Sequence, residues 1–263
     1  MPVGPPRQLV ARLRAAGCVF AEEEAALLMA AARGSAASLE ALVVRRVAGE
    51  PLEQVLGWAD FAGHRILLEP GVFVPRRRTE ALAKETVRLT REAARPDHVP
   101  VVVDLCCGSG AIGVVVAAAM PCELVAADID PAAVRAASRN LGRYGARVVQ
   151  GDLYGALPGD LRGRIDVLAA NAPYVPTDEI SMMPAEARDH ESRIALDGGT
   201  DGLDMHRRIA ASARSWLAPG GRLLIETSVS QAPATAAFMA DSGLEPRVLR
   251  DDDVDGTVVI GTG

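Results

Sequence analysis

Four short stretches of this 263-residue chain carry groups that could grip a polar ligand. In residues 101–113 a β-branched run ends in Asp104, Gly108 and Gly110 follow, and the apolar run 111–120 begins. That order predicts a strand, a tight loop and a helix. The glycines let the backbone turn sharply and leave no Cβ in a ligand's way, and Gly113 would let the helix pack closely on its strand. The spacing fits G-x-G-x-x-G, which serves dinucleotides, other nucleotide-like cofactors, or no ligand at all. Asp128 ends a second apolar run, and its two oxygens could hold both hydroxyls of a ribose, whereas Asp130, directly before Pro131, suits a helix cap. Asp152, in Gly151-Asp152-Leu153, could accept a hydrogen bond from an adenine amino group, although a lone loop acid usually just faces water. The run 165–170 ends in Asn171-Ala172-Pro173-Tyr174. There the Asn171 side-chain oxygen and the Ala172 carbonyl can each accept one N–H of an NH₂ group, and Tyr174 can stack on a planar target. An amide nitrogen is a poor nucleophile, because its lone pair is delocalised. A site that makes it react must fix its orientation and stabilise the positive charge developing on it. Asn and Pro are also common turn residues, so the tetrapeptide alone is equally well a strand-end turn.

The elements that must position these groups alternate from Val99 onward. Strands are expected at 99–104, 122–128, 146–150, 165–170, 221–227, 245–250 and 257–261, and helices near 111–119, 131–142, 202–217 and 231–242. Such alternation implies a mostly parallel sheet covered by helices on both faces. The last two strands, joined only by the acidic turn 251–255, must pair as a hairpin, so one of them runs against the rest. Open α/β sheets bind ligands beyond the carboxyl ends of their strands, where all four stretches fall. Upstream, residues 7–48 read as three helices. One carries Leu9, Val10 and Leu13, a second spans 22–32 with Leu27 and Leu28 inside, and a third is capped by Ser38 and carries Leu39, Leu42, Val43 and Val47. Residues 52–74 form a connector with strand character, where Phe61 and Ile66 flank a turn at Gly63-His64. Arg76, Arg77 and Arg78 are read as a solvated surface or as a contact for an anionic partner, and a helix over 79–95 leads to the sheet.

Composition narrows the function. The net charge of −6 gives no global basic field for nucleic acid, and arginine supplies every cation except Lys84. Cys18, Cys106, Cys107 and Cys122 form neither a secretory framework nor a zinc pattern, which is the usage of a reduced cytosolic protein. No signal peptide, membrane-spanning run or metal site is expected.

The tetrapeptide resembles the Asn-Pro-Pro-Tyr of amino-methylating enzymes that use S-adenosylmethionine. A seven-stranded sheet with one reversed strand near its edge is the architecture of class I methyltransferases. Beyond these, Arg45-Arg46, Gly49-Glu50-Pro51-Leu52, Phe61-Ala62-Gly63, Val74-Pro75-Arg76 with Thr79-Glu80, Ala195-Leu196-Asp197-Gly198-Gly199, Asp201-Gly202-Leu203 and Pro219-Gly220-Gly221 resemble the HemK/PrmC family in the same order. These are the protein-glutamine methyltransferases of peptide chain release factors. The resemblance implies an N-terminal helical substrate-recognition domain (1–57), a β-hairpin linker (58–78) and a Rossmann-like α/β methyltransferase domain (79–263). It implies that Asp104, Cys106, Gly108, Gly110, Asp128, Ile129, Asp152, Leu153 and Asn171 bind S-adenosylmethionine, with S-adenosylhomocysteine as product. Asn171, Ala172, Pro173 and Tyr174 would receive the glutamine amide of a monomeric cytoplasmic enzyme's protein partner, a release factor.

The chain departs from the family at Ala172, where proline is usual, at Arg77-Arg78, where Pro-Glu is usual, and at Cys106-Cys107 in the loop. Only the backbone carbonyl of Ala172 is needed by the chemistry. The segment 175–203 should cover the site. Its acids Asp178, Glu179, Glu186, Asp189 and Glu191 are a poor match for a nucleic-acid backbone, and His190 is a candidate base that the chemistry does not demand. Competing readings are methylation of an exocyclic amine of adenine or guanine, and a silent S-adenosylmethionine-binding adaptor. An NAD-dependent oxidoreductase would need an acid/base pair that the sequence does not offer.

Overall fold

The computed structural model describes residues 5–263. It opens with α1 (Arg7–Ala15), α2 (Ala21–Ala32), α3 (Ala36–Val47) and the short α4 (Leu52–Leu56). Leu9, Leu13, Ala25, Leu28, Val43 and Val55 close on one another as a core of their own. Two details correct the sequence reading. Ser35, not Ser38, caps α3: its Oγ accepts from the Ser38 N–H at 3.2 Å, so the helix begins two residues before Ser38. Leu27 is 38% exposed, because one helical step of about 100° turns it out when Leu28 faces the core. Arg46 is buried, donating to Glu24 Oε2 at 2.7 Å and to Glu186 Oε1 at 2.6 Å, far along the chain. Gln54 Nε2 donates to the Val72 carbonyl at 2.6 Å.

The connector holds one hairpin, β1 (Trp58–Phe61) with β2 (His64–Leu67). Beyond it the chain is irregular, and a single 3₁₀ turn over Arg77–Thr79 leads into α5 (Glu80–Ala93). The main sheet contains β3 (Val101–Leu105), β4 (Glu123–Asp128), β5 (Arg147–Gln150), β6 (Ile165–Ala170), β7 (Leu217–Glu226), β8 (Glu245–Asp251) and β9 (Gly256–Thr262). The helices between them are α6 (Ala111–Ala119), α7 (Pro131–Leu141), α8 (Ala185–His190), α9 (Asp204–Ala213) and α10 (Ala232–Asp241). The strand order is β5-β4-β3-β6-β7-β9-β8, and only β9 runs against the other six. The expected seven strands with one reversed near the edge are therefore present. Val101, Val103, Leu168 and Leu223 pack on one face against α9 and the turns at 153–161, whereas Val102, Val167 and Leu224 pack on the other against α5 and α6. Strands covered on both faces are apolar throughout, which is why they were readable as runs.

Boundaries shifted where turn residues intervene. β7 starts at Leu217 rather than 221, since pairing with β6 jumps across Pro219-Gly220-Gly221 from Ile165–Leu217 to Val167–Arg222. α9 stops at Ala213, and residues 214–216 turn directly into β7. The reversed β9 slots between β7 and β8, and its first residue, Gly256, lies so close to the 3₁₀ turn that a Cβ there would sit 2.6 Å from the Arg78 carbonyl oxygen. Among the described residues no helix is long and apolar enough to cross a membrane.

Asp104, the last but one residue of β3, turns inward. Its Oδ2 accepts the Gly113 N–H of α6 at 2.9 Å, while Oδ1 has no partner. Burial pushes its pKa up to about 8, against the pull of the Gly113 N–H and with a smaller push from Asp128. A carboxyl whose folded pKa is raised binds its proton more tightly in the folded state. Stability is therefore fully present below the unfolded value near 4 and is lost as pH rises toward about 8. Asp104→Asn keeps the acceptor for Gly113 and removes the titration. Melting temperatures measured from pH 5 to pH 8 should fall less for the variant than for the parent. Arg46→Ala leaves Glu24 buried without its partner and should lower the unfolding free energy by about 3 kcal/mol in denaturant titration.

Candidate active site

A cavity of about 550 Å³ opens beyond the carboxyl ends of β3, β4, β5 and β6. Strand order runs in opposite directions from β3, so the loops after β3 and β6 part and leave a crevice. Cys106, Gly108, Asp128, Ile129, Asp152, Leu153, Asn171, Ala172, Pro173 and Tyr174 all line it. Two of the residues expected there do not. Asp104 is turned onto Gly113, as described, and Gly110 faces α7, where a Cβ would lie 3.0 Å from Leu141 Cδ1. Gly110 thus serves helix packing, whereas Gly108, at φ +53°, has open space where a Cβ would be.

Asp128 is held from below by two backbone donors. Its Oδ2 accepts the Gly108 N–H at 2.8 Å and its Oδ1 the Asp130 N–H at 2.9 Å, which leaves a lone pair on each oxygen for a hydroxyl. Burial raises its pKa, and the same N–H groups oppose that rise. Asp130 caps α7 through the Ala132 N–H at 2.8 Å, the role its position before Pro131 predicts. Ile129 is 49% exposed and turns an apolar side chain to the cavity. Asp152 receives Arg208 Nη2 at 2.6 Å on Oδ2, which leaves Oδ1 available. Arg208 and Met205 reach the cavity from α9, which the Tyr154 hydroxyl ties down through the Ile209 carbonyl at 2.9 Å. Burial first, and the neighbouring acids second, raise the pKa of both Cys106 and Cys107, so neither is a thiolate nucleophile.

The tetrapeptide leaves β6 along one wall. Asn171 Nδ2 donates to Thr79 Oγ1 at 3.2 Å, so its oxygen is the end left for a ligand. The Tyr174 hydroxyl lies 3.4 Å from Glu226 Oε1, and its carbonyl accepts from Gln231 Nε2 at 3.0 Å. Burial, then the Glu226 charge, pushes the Tyr174 phenol up to about 12, so it stays neutral. The arginine run is neither free surface nor a bare anion patch. Arg76 donates to Glu191 at 2.6 Å and lines the cavity; Arg78 approaches Glu226 at 3.5 Å and lines it too; Arg77 caps the Asp253 carbonyl at 3.3 Å. Burial raises the pKa of both Glu191 and Glu226, and these arginines oppose it.

Segment 175–203 does cover the site, and Met183, Arg193, Ile194 and Leu196 line the cavity. Gly202, at φ +75°, lies against the Tyr174 carbonyl: a Cβ there would come within 2.3 Å of it. The Asp197-Gly198-Gly199…Gly202 pattern is thus a close backbone contact that seats the tetrapeptide. His190 ends α8 and does not line the cavity. Of the covering acids, Glu191 turns inward to Arg76, Glu186 pairs with Arg46 and Asp189 with Arg188, so the cover is less of a bare acidic field than its sequence suggests. Thr79, Glu226 and Arg208 were given no site role from sequence. Glu226 ends the apolar run Leu223-Leu224-Ile225 just as Asp128 ends its own, and that signature could have found it. Arg208 carries no such mark on its helix.

The family model for the methyltransferase small domain matches residues 65–201. Release factor glutamine methyltransferase of Geobacter sulfurreducens is 38% identical over 210 residues, 79% of this chain and 71% of that protein. The 4-amino-L-phenylalanine/4-methylamino-L-phenylalanine methyltransferase of Streptomyces pristinaespiralis is 39% identical over 203 residues, 76% of this chain and 69% of that protein. A methyltransferase structure from Pyrococcus furiosus shares the fold, with a TM-score of 0.55 at 16% identity over 85% of this chain and 96% of that one. The sheet is that of class I methyltransferases, and the chain belongs to the HemK/PrmC family, the family of the release factor glutamine methyltransferases.

Proposed function

We propose that this protein methylates the side-chain amide nitrogen of a glutamine in a protein, namely the Gly-Gly-Gln glutamine of peptide chain release factors, with S-adenosylmethionine as donor. The observation that carries this reading is the convergence of the Asn171 oxygen, the Ala172 backbone and the Tyr174 ring on one wall of the cavity. The cavity fits the donor: Asp128 keeps two lone pairs for ribose hydroxyls, Asp152 keeps one oxygen for the adenine amino group, and Ile129 and Leu153 offer apolar surface to the base. S-adenosylmethionine supplies a methyl group already activated on a sulfonium. The residues of the chain orient the acceptor. Asn171 Oδ1 and the Ala172 carbonyl each take one N–H of the glutamine amide, which turns the face of its nitrogen toward the donor. Both are acceptors, so they also stabilise the positive charge that grows on nitrogen. Tyr174 stacks on the amide plane, and water takes the released proton. His206, which burial lowers to about 4, stands behind Tyr174 as a neutral packing group.

The N-terminal helices hold the release factor in this reading. Val19 and Phe20 are 81% and 68% exposed there, and Arg46 ties the same helices to the cover. The protein acts as a cytosolic monomer. A second reading rests on the arginines at the cavity, Arg76, Arg78 and Arg193, together with the relative that methylates 4-amino-L-phenylalanine. A small aromatic amine bearing a carboxylate would share those cations with Glu191, Glu226 and Asp197. A binding-only role would leave the amide-holding wall without a purpose.

Labelled S-adenosylmethionine offered with the two release factors of the host, and separately with 4-amino-L-phenylalanine or single-stranded DNA, separates these readings. Mass spectrometry should place the methyl group on the Gly-Gly-Gln glutamine, and label only on the amine or the DNA would replace the proposal. Asn171→Ala should lower kcat by about 10²- to 10³-fold with cofactor affinity nearly unchanged. Asp128→Ala should instead weaken cofactor binding about 10- to 100-fold in calorimetry.

A further inference from the structure

The cover departs at Tyr174 and returns at Asp201-Gly202, and its two roots lie side by side, with the Gly202 backbone against the Tyr174 carbonyl. Backbone bonds join its two arms just beyond. The Val175 N–H donates to the Leu196 carbonyl at 3.1 Å, the Gly198 N–H to the Val175 carbonyl at 2.9 Å, and the Thr177 N–H to the Gly199 carbonyl at 2.9 Å. None of these bonds reaches the Tyr174 or the Asp201 carbonyl.

Both of those carbonyls are taken by one side chain. Gln231 Nε2 donates to the Tyr174 carbonyl at 3.0 Å and to the Asp201 carbonyl at 3.2 Å. A primary amide has two N–H groups, and here each goes to one root of the cover. Gln231 Oε1 accepts the Ser228 hydroxyl at 2.8 Å. Turning the amide over would set its oxygen against two carbonyl oxygens, so the partners fix its orientation. The Gln231 backbone is anchored as well. Its N–H donates to Ser228 Oγ at 3.2 Å, and its carbonyl accepts the Thr235 hydroxyl at 3.2 Å, which in turn lies 2.9 Å from Nδ1 of the buried His206. A Cβ on Gly202 would come 2.6 Å from Gln231 Nε2, so the glycine leaves room for the amide. Gln231 itself stands outside the cavity.

The Tyr174 ring and the Tyr174 carbonyl hang from one Cα, so holding the carbonyl holds the mount of the ring. We infer that Gln231 is a positioning residue for methyl transfer: its amide pins both roots of the cover and so sets the Tyr174 ring against the acceptor. The inference rests on the reading of Tyr174 as the group that stacks on the substrate amide. Gln231 touches neither donor nor acceptor.

The test compares Gln231→Glu and Gln231→Met with the parent protein. Glutamate keeps the length and the acceptor for Ser228 but turns an oxygen to the two root carbonyls; methionine leaves those carbonyls without a donor. At pH 8, kcat on the release factor should fall on the order of 100-fold in Gln231→Glu and about tenfold in Gln231→Met, with the calorimetric cofactor Kd changed less than about threefold. A protonated carboxyl can donate to one carbonyl. The ratio of Gln231→Glu kcat to parent kcat should therefore rise at least about threefold between pH 8 and pH 5.5, while the Gln231→Met ratio stays flat. In both variants the Val175 and Gly198 amides should exchange with water at least about tenfold faster in nuclear magnetic resonance, and the Gly113 amide, held by Asp104 away from the cover, should not change. Parent-like kcat in both variants, a Gln231→Glu ratio that stays flat with pH, or a cofactor Kd that weakens as much as kcat falls, overturns the positioning role and leaves the proposed function standing. A parent protein that methylates no release factor overturns that function instead. The exchange rates then decide the clamp, and unchanged Val175 and Gly198 amides reject it.

Discussion

Parallel strands end on the same edge of a sheet, and nearly everything in this protein answers to that constraint. The strands are covered by helices on both faces, so their interiors carry almost no polar side chains. The first positions free to be polar are those where each strand runs out. Asp104, Asp128, Asn171 and Glu226 occupy them, on β3, β4, β6 and β7. The crevice beside β3 then decides which of them meet solvent. Asp128 and Asn171 do, whereas Asp104 and Glu226 remain inside as supports.

An edge so rich in acids has an electrostatic consequence. Burial raises the pKa of Asp104, Asp128 and Glu226, and of Glu191 in the cover. Among the described residues no arginine of the sheet pairs with these acids, and the nearby cations come from elements packed over its edge. Arg76 and Arg78 arrive from the connector and Arg208 from α9. The segments packed over the edge therefore carry the cations that meet Glu191, Glu226 and Asp152, while Asp104 and Asp128 are held by backbone N–H groups.

The sheet was legible because doubly covered strands are unbroken apolar runs, and the final hairpin because its turn is too short for a crossover. Boundaries blurred where turn chemistry lies inside a strand, as at Pro219-Gly220-Gly221 in β7, or where two serines compete to cap one helix. The glycine loop, Asp128, Asp152 and the tetrapeptide were legible as site residues because each follows directly on a strand. The use made of a strand-end acid was not: sequence does not say whether a carboxylate turns out to the crevice, like Asp128, or back onto a helix N–H, like Asp104. Arg208 was invisible for another reason, since a cation on a helix face looks the same whether it meets water or an acid from another loop.

The reversed strand has a consequence for the order in which the molecule is built. β9 lies between β7 and β8, yet follows both in the chain. β8 cannot take its final place until β9 exists, because β9 is the strand it pairs with. That hairpin braces the turn carrying Arg78 and Thr79, through the close approach of Gly256 and the bond from Arg77 to the Asp253 carbonyl. A nascent chain whose β9 is still inside the ribosomal tunnel has its glycine loop and its tetrapeptide but no buttress behind them. The support behind the glycine loop and the tetrapeptide is thus supplied by segments that follow both of them in the chain.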